Sequence, residues 1–276
     1  MRNRSGSRAR RLAPFLGTLL ILSVPLGVSL GCRRLLSRPT VLLLQVSTDE
    51  TPVPDSPIQP HGNGVVQETI RVLKRRVRDL GASYAVVTAA DGTNDQVKVE
   101  LWDVVDVVSA QRILTTRGRL ELKVVEGVES TRESLLQDRG GVVPPDLDVV
   151  SGSGDATGST IFYLVRRENV ITGRDVKAAR SSVEVQTHNP SVGFRLNAAG
   201  AAKFERETAR NIGRRVAIIL DGRVMSAPTI HSPIKDQGQI TGRFTEREAA
   251  ELAQVLGTGE LPSAVTCVSV AGPGRR

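Results

Sequence analysis

Residues 192–230 read VGFRLNAAGAAKFERETARNIGRRVAIILDGRVMSAPTI, and their punctuation decides the fold class. The opening VGFRL belongs to a predicted strand over 191–196. Asn197 stands where a helix N-cap belongs, its side-chain oxygen able to accept from the first free amides. In the helix that follows, Ala201, Phe204, Thr208 and Ile212 recur at three- and four-residue spacing and share a face. VAIIL at 216–220 and RVMSA at 223–227 flank Asp221-Gly222, a pair suited to a two-residue hairpin turn because both positions need positive φ. Strand, capped helix and hairpin in succession describe an α+β unit.

Working outward, Thr245 and Glu248 form a capping box before Ala249, Leu252, Ala253 and Leu256, with Gly257 closing the helix. Thr172 predicts a helix cap with the helix running through Ala179. From Glu126 to Thr160 the pattern becomes irregular, with Pro144, Pro145 and SGSGDATGS at 151–159, which reads as a flexible connection between two units. Before it, Val66, Ile70, Leu73, Val77 and Leu80 make one apolar stripe of a helix stopped by Gly81. Arg71, Lys74, Arg75, Arg76 and Arg78 are expected mostly on its solvated sides. Strands are expected at 84–88, 96–102 and 119–125, with a short helix near 106–115. VLLLQV at 41–46 reads as a strand, and the four prolines within 47–63 exclude a helix interior or central strand there.

The charge is unevenly placed. The chain has 276 residues and a net charge of +8, yet residues 1–38 hold eight arginines and no acid, leaving 29 basic against 29 acidic side chains beyond them. A neutral remainder with 3% aromatics offers no basic, stacking surface, so nucleic acid is not an expected partner. Between Arg11 and Cys32 lies an uncharged run of 20 residues, Leu12–Gly31. Positive charge followed by such a run is an export signal. Its length leaves two fates, cleavage with acylation of Cys32 in the lipobox-like Ser29-Leu30-Gly31-Cys32, or retention as a membrane anchor. Either fate places the rest outside the cytoplasm, attached to the membrane through the N-terminus. Cys267, in the apolar-alternating run AVTCVSV, reads as a small core residue.

An enzyme lacks its parts. GVSLG at 27–31 matches a nucleophile pattern but lies inside the export run rather than on a strand-to-helix turn. His61, His188 and His231 have no ligand spacing, so no metal is expected. Gly152, Gly154 and Gly158 miss both phosphate-loop spacings, and no cofactor is expected.

The stretch already quoted, continued by GQITGRFTEREAAELAQVLGTGELPSAV at 238–265, resembles the head of the large periplasmic domain of the SecD family, accessory subunits of the bacterial Sec translocase. The matching positions are Phe194, Gly200, Phe204, Thr208, Asn211, Gly213, Asp221, Gly222, Pro228, Gly242, Phe244, Ala249, Leu252, Leu261 and Pro262. Upstream, ETIRVLKRRVRDLG is similar to the family's first helix, and VKVEL and RLELKVV resemble strands of its base.

The resemblance implies an α+β fold with a ferredoxin-like base interrupted by an inserted α+β head subdomain. The expected organisation is signal or anchor at 1–31, linker with a short strand at 32–63, base at 64–126, connection at 127–160, head at 161–260, and return strand and tail at 261–276. It implies a non-enzymatic part in protein export, binding or guiding unfolded or translocating polypeptide, with Sec membrane subunits as partners. An envelope lipoprotein reusing the head for another ligand is the alternative, since fold does not fix function. SecD proteins continue into further membrane helices whose ionisable residues carry proton coupling. The one apolar run here has no ionisable residue, so proton-driven pulling by this chain alone is not expected.

Overall fold

The structure is a computed structural model that describes residues 38–47, 63–153, 159–185 and 187–272. Cys32, His61 and the export run lie outside the described residues. In chain order the first elements are β1 (Thr40–Val46), α1 (Asn63–Arg76), β2 (Tyr84–Ala89), β3 (Gln96–Trp102) and α2 (Val107–Thr115). Then come β4 (Leu120–Glu129), α3 (Arg132–Leu136), β5 (Leu147–Ser153), β6 (Thr160–Thr172), β7 (Val176–Val183) and β8 (Pro190–Leu196). The chain continues through α4 (Ala198–Arg210), β9 (Val216–Leu220), β10 (Arg223–Ser226), β11 (Gln237–Ile240), α5 (Glu246–Thr258) and β12 (Val265–Ala271).

The base is a sheet in the order β12-β1-β3-β2, with every neighbouring pair antiparallel. Period-two alternation explains its single buried face. Leu42, Leu44, Val97, Val99 and Leu101 are 0% exposed and pack with Val66, Ile70 and Leu73 of α1 and with Ala110 and Leu114 of α2. Residues between them on β1 and β3 stay half-buried. Val77–Asp79 adds a 3-10 turn to α1, and Gly81 follows with φ +71°. Asp106 caps α2 by accepting from Ser109 N at 2.9 Å.

Everything from β4 to α5 is inserted between α2 and β12. β10, β5, β6, β4 and β9 close into a barrel, and β11-β8-β7 form a second, antiparallel sheet. Leu120, Leu122 and Val124 of β4 share a core with Val192, Phe194 and Leu196 of β8, Phe204 of α4 and Leu252 and Leu256 of α5. Asn197 caps α4, and Thr245 with Glu248 makes a reciprocal capping box on α5. The Asp221-Gly222 turn has φ +47° and +79°.

Several expectations need correction. Strand 119–125 belongs to the barrel, pairing with β6 and β9, and not to the base. Leu120 through Val125 are all buried, because β4 packs on both faces. Residues 127–160 are not simply a connection: they contain the end of β4, α3, β5 and the start of β6. Pro144 and Pro145 precede β5 rather than interrupt it. After Thr172 the chain makes only a 3-10 turn with its capping box, then extends as β7, since pairing with β8 takes Val176–Val183. The helix α5 runs through Gly257 to Thr258 and stops at Gly259, φ +99°. Ile212 is 53% exposed, because α4 ends before it. Cys267 is half-buried beside the base core, its thiol donating to Ser269 O at 3.5 Å.

Candidate functional site

Two short segments join base to head, 116–119 leaving α2 and 259–264 entering β12. Leu261 N donates to Arg117 O at 2.9 Å, tying them to each other. Arg76, expected on a solvated face, is 0% exposed. From the last turn of α1 its guanidinium donates to Ile113 O at 2.7 Å, Thr116 O, Arg117 O at 3.1 Å and Gly259 O at 3.0 Å. One base side chain therefore grips both crossings. Burial lowers the Arg76 pKa to about 10, opposed by the charge of Asp221. A guanidinium suits the position because its several donors are fixed in one plane.

Asp221 completes the junction from the head. Its carboxylate accepts from Gly118 N at 3.2 Å and Arg119 N at 2.7 Å, while its own amide donates to Arg119 O at 2.9 Å. The hairpin turn thus also anchors the entering chain. Gly118 has φ +76°, and a Cβ there would lie 2.4 Å from Val255 Cγ1, so only glycine fits without displacement. Glu260 sits at the second crossing, 3.7 Å from Arg117. Burial raises its pKa against the opposing charges of Arg117, Arg119 and Arg174.

Alongside, α5 of the head lies against α2 of the base. Glu251 is 9% exposed and accepts from Ser109 Oγ and from Arg247 Nε at 3.0 Å, with Arg112 Nε at 3.2 Å. Arg247 also pairs with Asp106. Above this contact is a cleft of about 350 Å³ lined by Asp79, Leu80, Asp106, Ile113, Arg247 and Gln254, among others.

The family-matching residues are spread through the head as scaffold. Phe194 and Phe204 are 4% and 2% exposed, and Phe244 packs half-buried against the same core. A Cβ on Gly200 would lie 2.6 Å from Asp175 Cβ, so the glycine lets α4 approach the turn before β7. Thr208 donates to Phe204 O at 2.7 Å and accepts from Ile234 N at 2.9 Å, fixing the loop after Ile230. Asn211 donates to Glu207 O, and Gly213 N to Ile230 O, each at 2.8 Å. Pro228 O accepts from Val216 N at 3.0 Å, and a Cβ on Gly242 would lie 2.9 Å from Phe244 Cε2. None of them lines the cleft beside α2 and α5.

Sequence reasoning missed a charged chain in the barrel. Arg119, Glu121, Lys123, Asp148 and Arg167 are linked by contacts of 3.1, 3.9, 3.1 and 3.2 Å. Glu121 and Lys123 are 8% and 7% exposed and lie opposite Ile219 and Ala217 in the β4–β9 register. Burial works against the Asp148 carboxylate, but the Lys123 bond and charge, with Arg167, outweigh it and lower its pKa. Glu121 and Lys123 alternate with Leu120, Leu122 and Val124, a pattern that by itself leaves one side to solvent; here the closed barrel buries both sides. Among the described residues no group of three or more His, Cys, Asp or Glu is arranged to hold a metal.

The outer face of the head's second sheet is polar, with Gln239 Nε2 donating to Ser191 Oγ at 2.7 Å and Ser191 Oγ 3.0 Å from Ser182 Oγ. β7 and β11 are its two edge strands. The end of α5 comes near Ala179, where a Cβ on Gly257 would lie 3.9 Å from the Ala179 backbone. Farther along, Val183 and Val185 are 58% and 86% exposed.

This architecture defines a two-part module, an antiparallel base with two helices carrying an inserted barrel-and-sheet head. Residues 149–263 match the family model described as SecDF, P1 head subdomain. Over 199 residues the chain is 38% identical to the protein translocase subunit SecD of Aquifex aeolicus, a match covering 72% of this chain and 38% of that protein. The SecD subunit of Koribacter versatilis is 33% identical over 201 residues, covering 72% and 37%.

A solved SecDF structure in a super-membrane-facing form aligns with TM-score 0.61 and 26% identity, covering 84% of this chain and 30% of that one. A second, of a membrane component SecDF that enhances protein export, aligns with TM-score 0.59 and 25% identity, covering 84% and 100%. The chain therefore carries a SecD-type first periplasmic domain with its head subdomain. It spans about two fifths of the length of the curated relatives named here.

Proposed function

We propose that this chain acts in protein export, its head holding or guiding an extended polypeptide on the outer face of the membrane while the base holds the head in place. The observation that carries the reading is the match of residues 149–263 to the SecDF head. The order β12-β1-β3-β2 with α1 and α2 on one face supports a ferredoxin-like base, since that is the strand-helix-strand-strand-helix-strand motif.

Extended chain is recognised by adding to a sheet edge, with backbone bonds giving affinity and side-chain contacts register. In the head, β7 beyond Ala179 supplies such an edge, and Val183 and Val185 are apolar anchors at its end. Phe194, Gly200, Phe204, Thr208 and Asn211 are buried and serve as scaffold that keeps that edge in place, while the exposed Gly213, Asp221, Gly222 and Pro228 shape turns and the junction. Attachment is through the N-terminus, by lipid on Cys32 or by the uncharged run itself. Sec membrane subunits are the proposed partners, and no step of this function needs catalysis or a cofactor.

The test is a photo-crosslinking residue at Val185, with controls at the exposed positions Arg206 and Arg223, in cells holding a stalled secretory chain. Adducts to that chain at Val185, lost when full-length SecD competes, are the expected result. Adducts only to envelope components would move the protein to the envelope-lipoprotein reading.

A further inference from the structure

Residues 39–276 carry as many basic as acidic side chains, yet the head gathers guanidiniums where α4 ends. Glu207 is shared by Arg206, whose Nε donates at 3.2 Å, and by Arg210, whose Nη1 donates at 3.4 Å. Glu126 is shared in the same way by Arg166 Nε at 2.7 Å and Arg214 Nη2 at 2.6 Å. Arg214 also donates to Asn211 Oδ1 at 3.4 Å, and Asn211 to Glu207 O, so the two shared carboxylates belong to one connected surface. Four guanidiniums over two carboxylates leave it locally positive.

Burial sorts the signs. Both glutamate side chains are 21% exposed, whereas the four arginine side chains are 37–66% exposed. The carboxylates therefore lie underneath and the guanidiniums face outward. Each guanidinium has five N–H donors, more than its glutamate takes up, and so can meet a further acceptor. The end of α4 favours the placement, because its last carbonyls are the negative end of the helix dipole. Ile212, two residues after Arg210 and two before Arg214, is 53% exposed, since the helix has stopped and Gly213 turns the chain at φ +83°. An exposed apolar side chain thus stands among the arginines.

Spacing narrows what this surface can take. Arg206 and Arg210 are one helical turn apart, about 6 Å along the axis, and Ile212 follows them. Alternate residues of an extended chain are about 6.7 Å apart on one face. Carboxylates at positions i and i+2, with an apolar side chain at i+4, match Arg206, Arg210 and Ile212 in order. Guanidinium forks suit planar carboxylates, which accept two parallel bonds. A phosphate cluster or an anionic membrane fits less well, because the cations lie in a row rather than around one point and Ile212 offers a foothold for one side chain only.

We propose that this surface docks an acidic, extended segment of a partner protein, of the pattern Glu-x-Glu-x-Leu. Its carboxylates lie on Arg206 and Arg210 and its apolar residue on Ile212, while Arg166 and Arg214 add attraction at the rim. The surface belongs to α4 and the turn after it, not to the β7 edge, and the inference does not rest on the export reading.

The probe is a fluorescein-labelled peptide, Thr-Glu-Thr-Glu-Thr-Leu-Thr, titrated into the full chain at low salt and followed by fluorescence anisotropy. Saturable binding is expected, weakened about tenfold or more when both glutamates are glutamine, and equally by Arg206→Gln with Arg210→Gln. Ile212→Ser should weaken it about threefold. Arg210→Lys, which keeps the charge and the helix, should lose part of the affinity, as should an isomeric peptide with adjacent glutamates.

No saturable binding, or binding that the paired arginine substitutions leave unchanged, overturns the proposal. Equal affinity for the isomeric peptide overturns the spacing on which it stands. Displacement of the peptide by inorganic phosphate, or tighter binding to phosphatidylglycerol vesicles than to the peptide, overturns it in favour of a phosphate or lipid site. The crosslinking test at Val185 is independent of all these results.

Discussion

Base and head use the same period-two alternation for different ends. In the base, β1 and β3 bury one face against α1 and α2 and leave the other half-covered, so each side chain's environment follows from its parity. In the head, β4 lies between the barrel interior and the helical core, and both parities are buried. Its leucines meet α4 and α5, while Glu121 and Lys123 enter the barrel and satisfy each other with Asp148. A charge on a strand is therefore a solvent marker in the base and an internal bond in the head. Packing on the second face makes the difference.

The sharpest way to separate the two regions is to damage one core. Phe204→Ala should cost about 3–5 kcal/mol, and hydrogen exchange should show the loss in β4, β8 and α5 first, with β1 and β3 the most protected. Equal loss across both sheets would mean that base and head fold as one unit. At the junction, Arg76→Met leaves four carbonyls without their donor and should cost about 3 kcal/mol. Arg76→Lys should recover only part of it, because one ammonium cannot span both crossings. Thermal or denaturant unfolding measures both variants.

Asp221→Ala removes two acceptor contacts to the entering chain and puts a less tolerant residue at φ +47°; a loss of about 1–2 kcal/mol is expected. The smallest effect is a slope. The Glu260 pKa is raised in the folded state, so its protonated form is favoured there. Its contribution is present below the ordinary glutamate value and is lost as pH rises through the raised one. Glu260→Gln should flatten the melting temperature across that window, and an unchanged slope would remove Glu260 from the account.

Local chemistry was readable wherever it lay in neighbouring residues. Asn197, the Thr245–Glu248 box and the Asp221-Gly222 turn all depend on groups within a few positions of each other, and each predicted element start or turn is where it was expected. What failed depended on distant partners. Nothing in the α1 sequence marks Arg76 as internal, because its acceptors come from residues 113–117 and 259. The capping signal at Thr172 was real but served a single turn, since β8, arriving later in the chain, took Val176–Val183 as a strand. Residues 127–153 looked irregular because α3 is only one turn and a half and β5 is partly polar. The junction, the feature that relates base to head, was for the same reason absent from the sequence reading.

The central claim is that Arg76, holding both crossings, keeps the head in one orientation on the base. Spin labels at the exposed positions Thr88 and Glu205, with Cys32 and Cys267 replaced by serine, give the base-to-head distance distribution. The account predicts one narrow distribution for the otherwise native chain and a clearly broader one for Arg76→Met under conditions where both remain folded. Identical distributions for the two would contradict it.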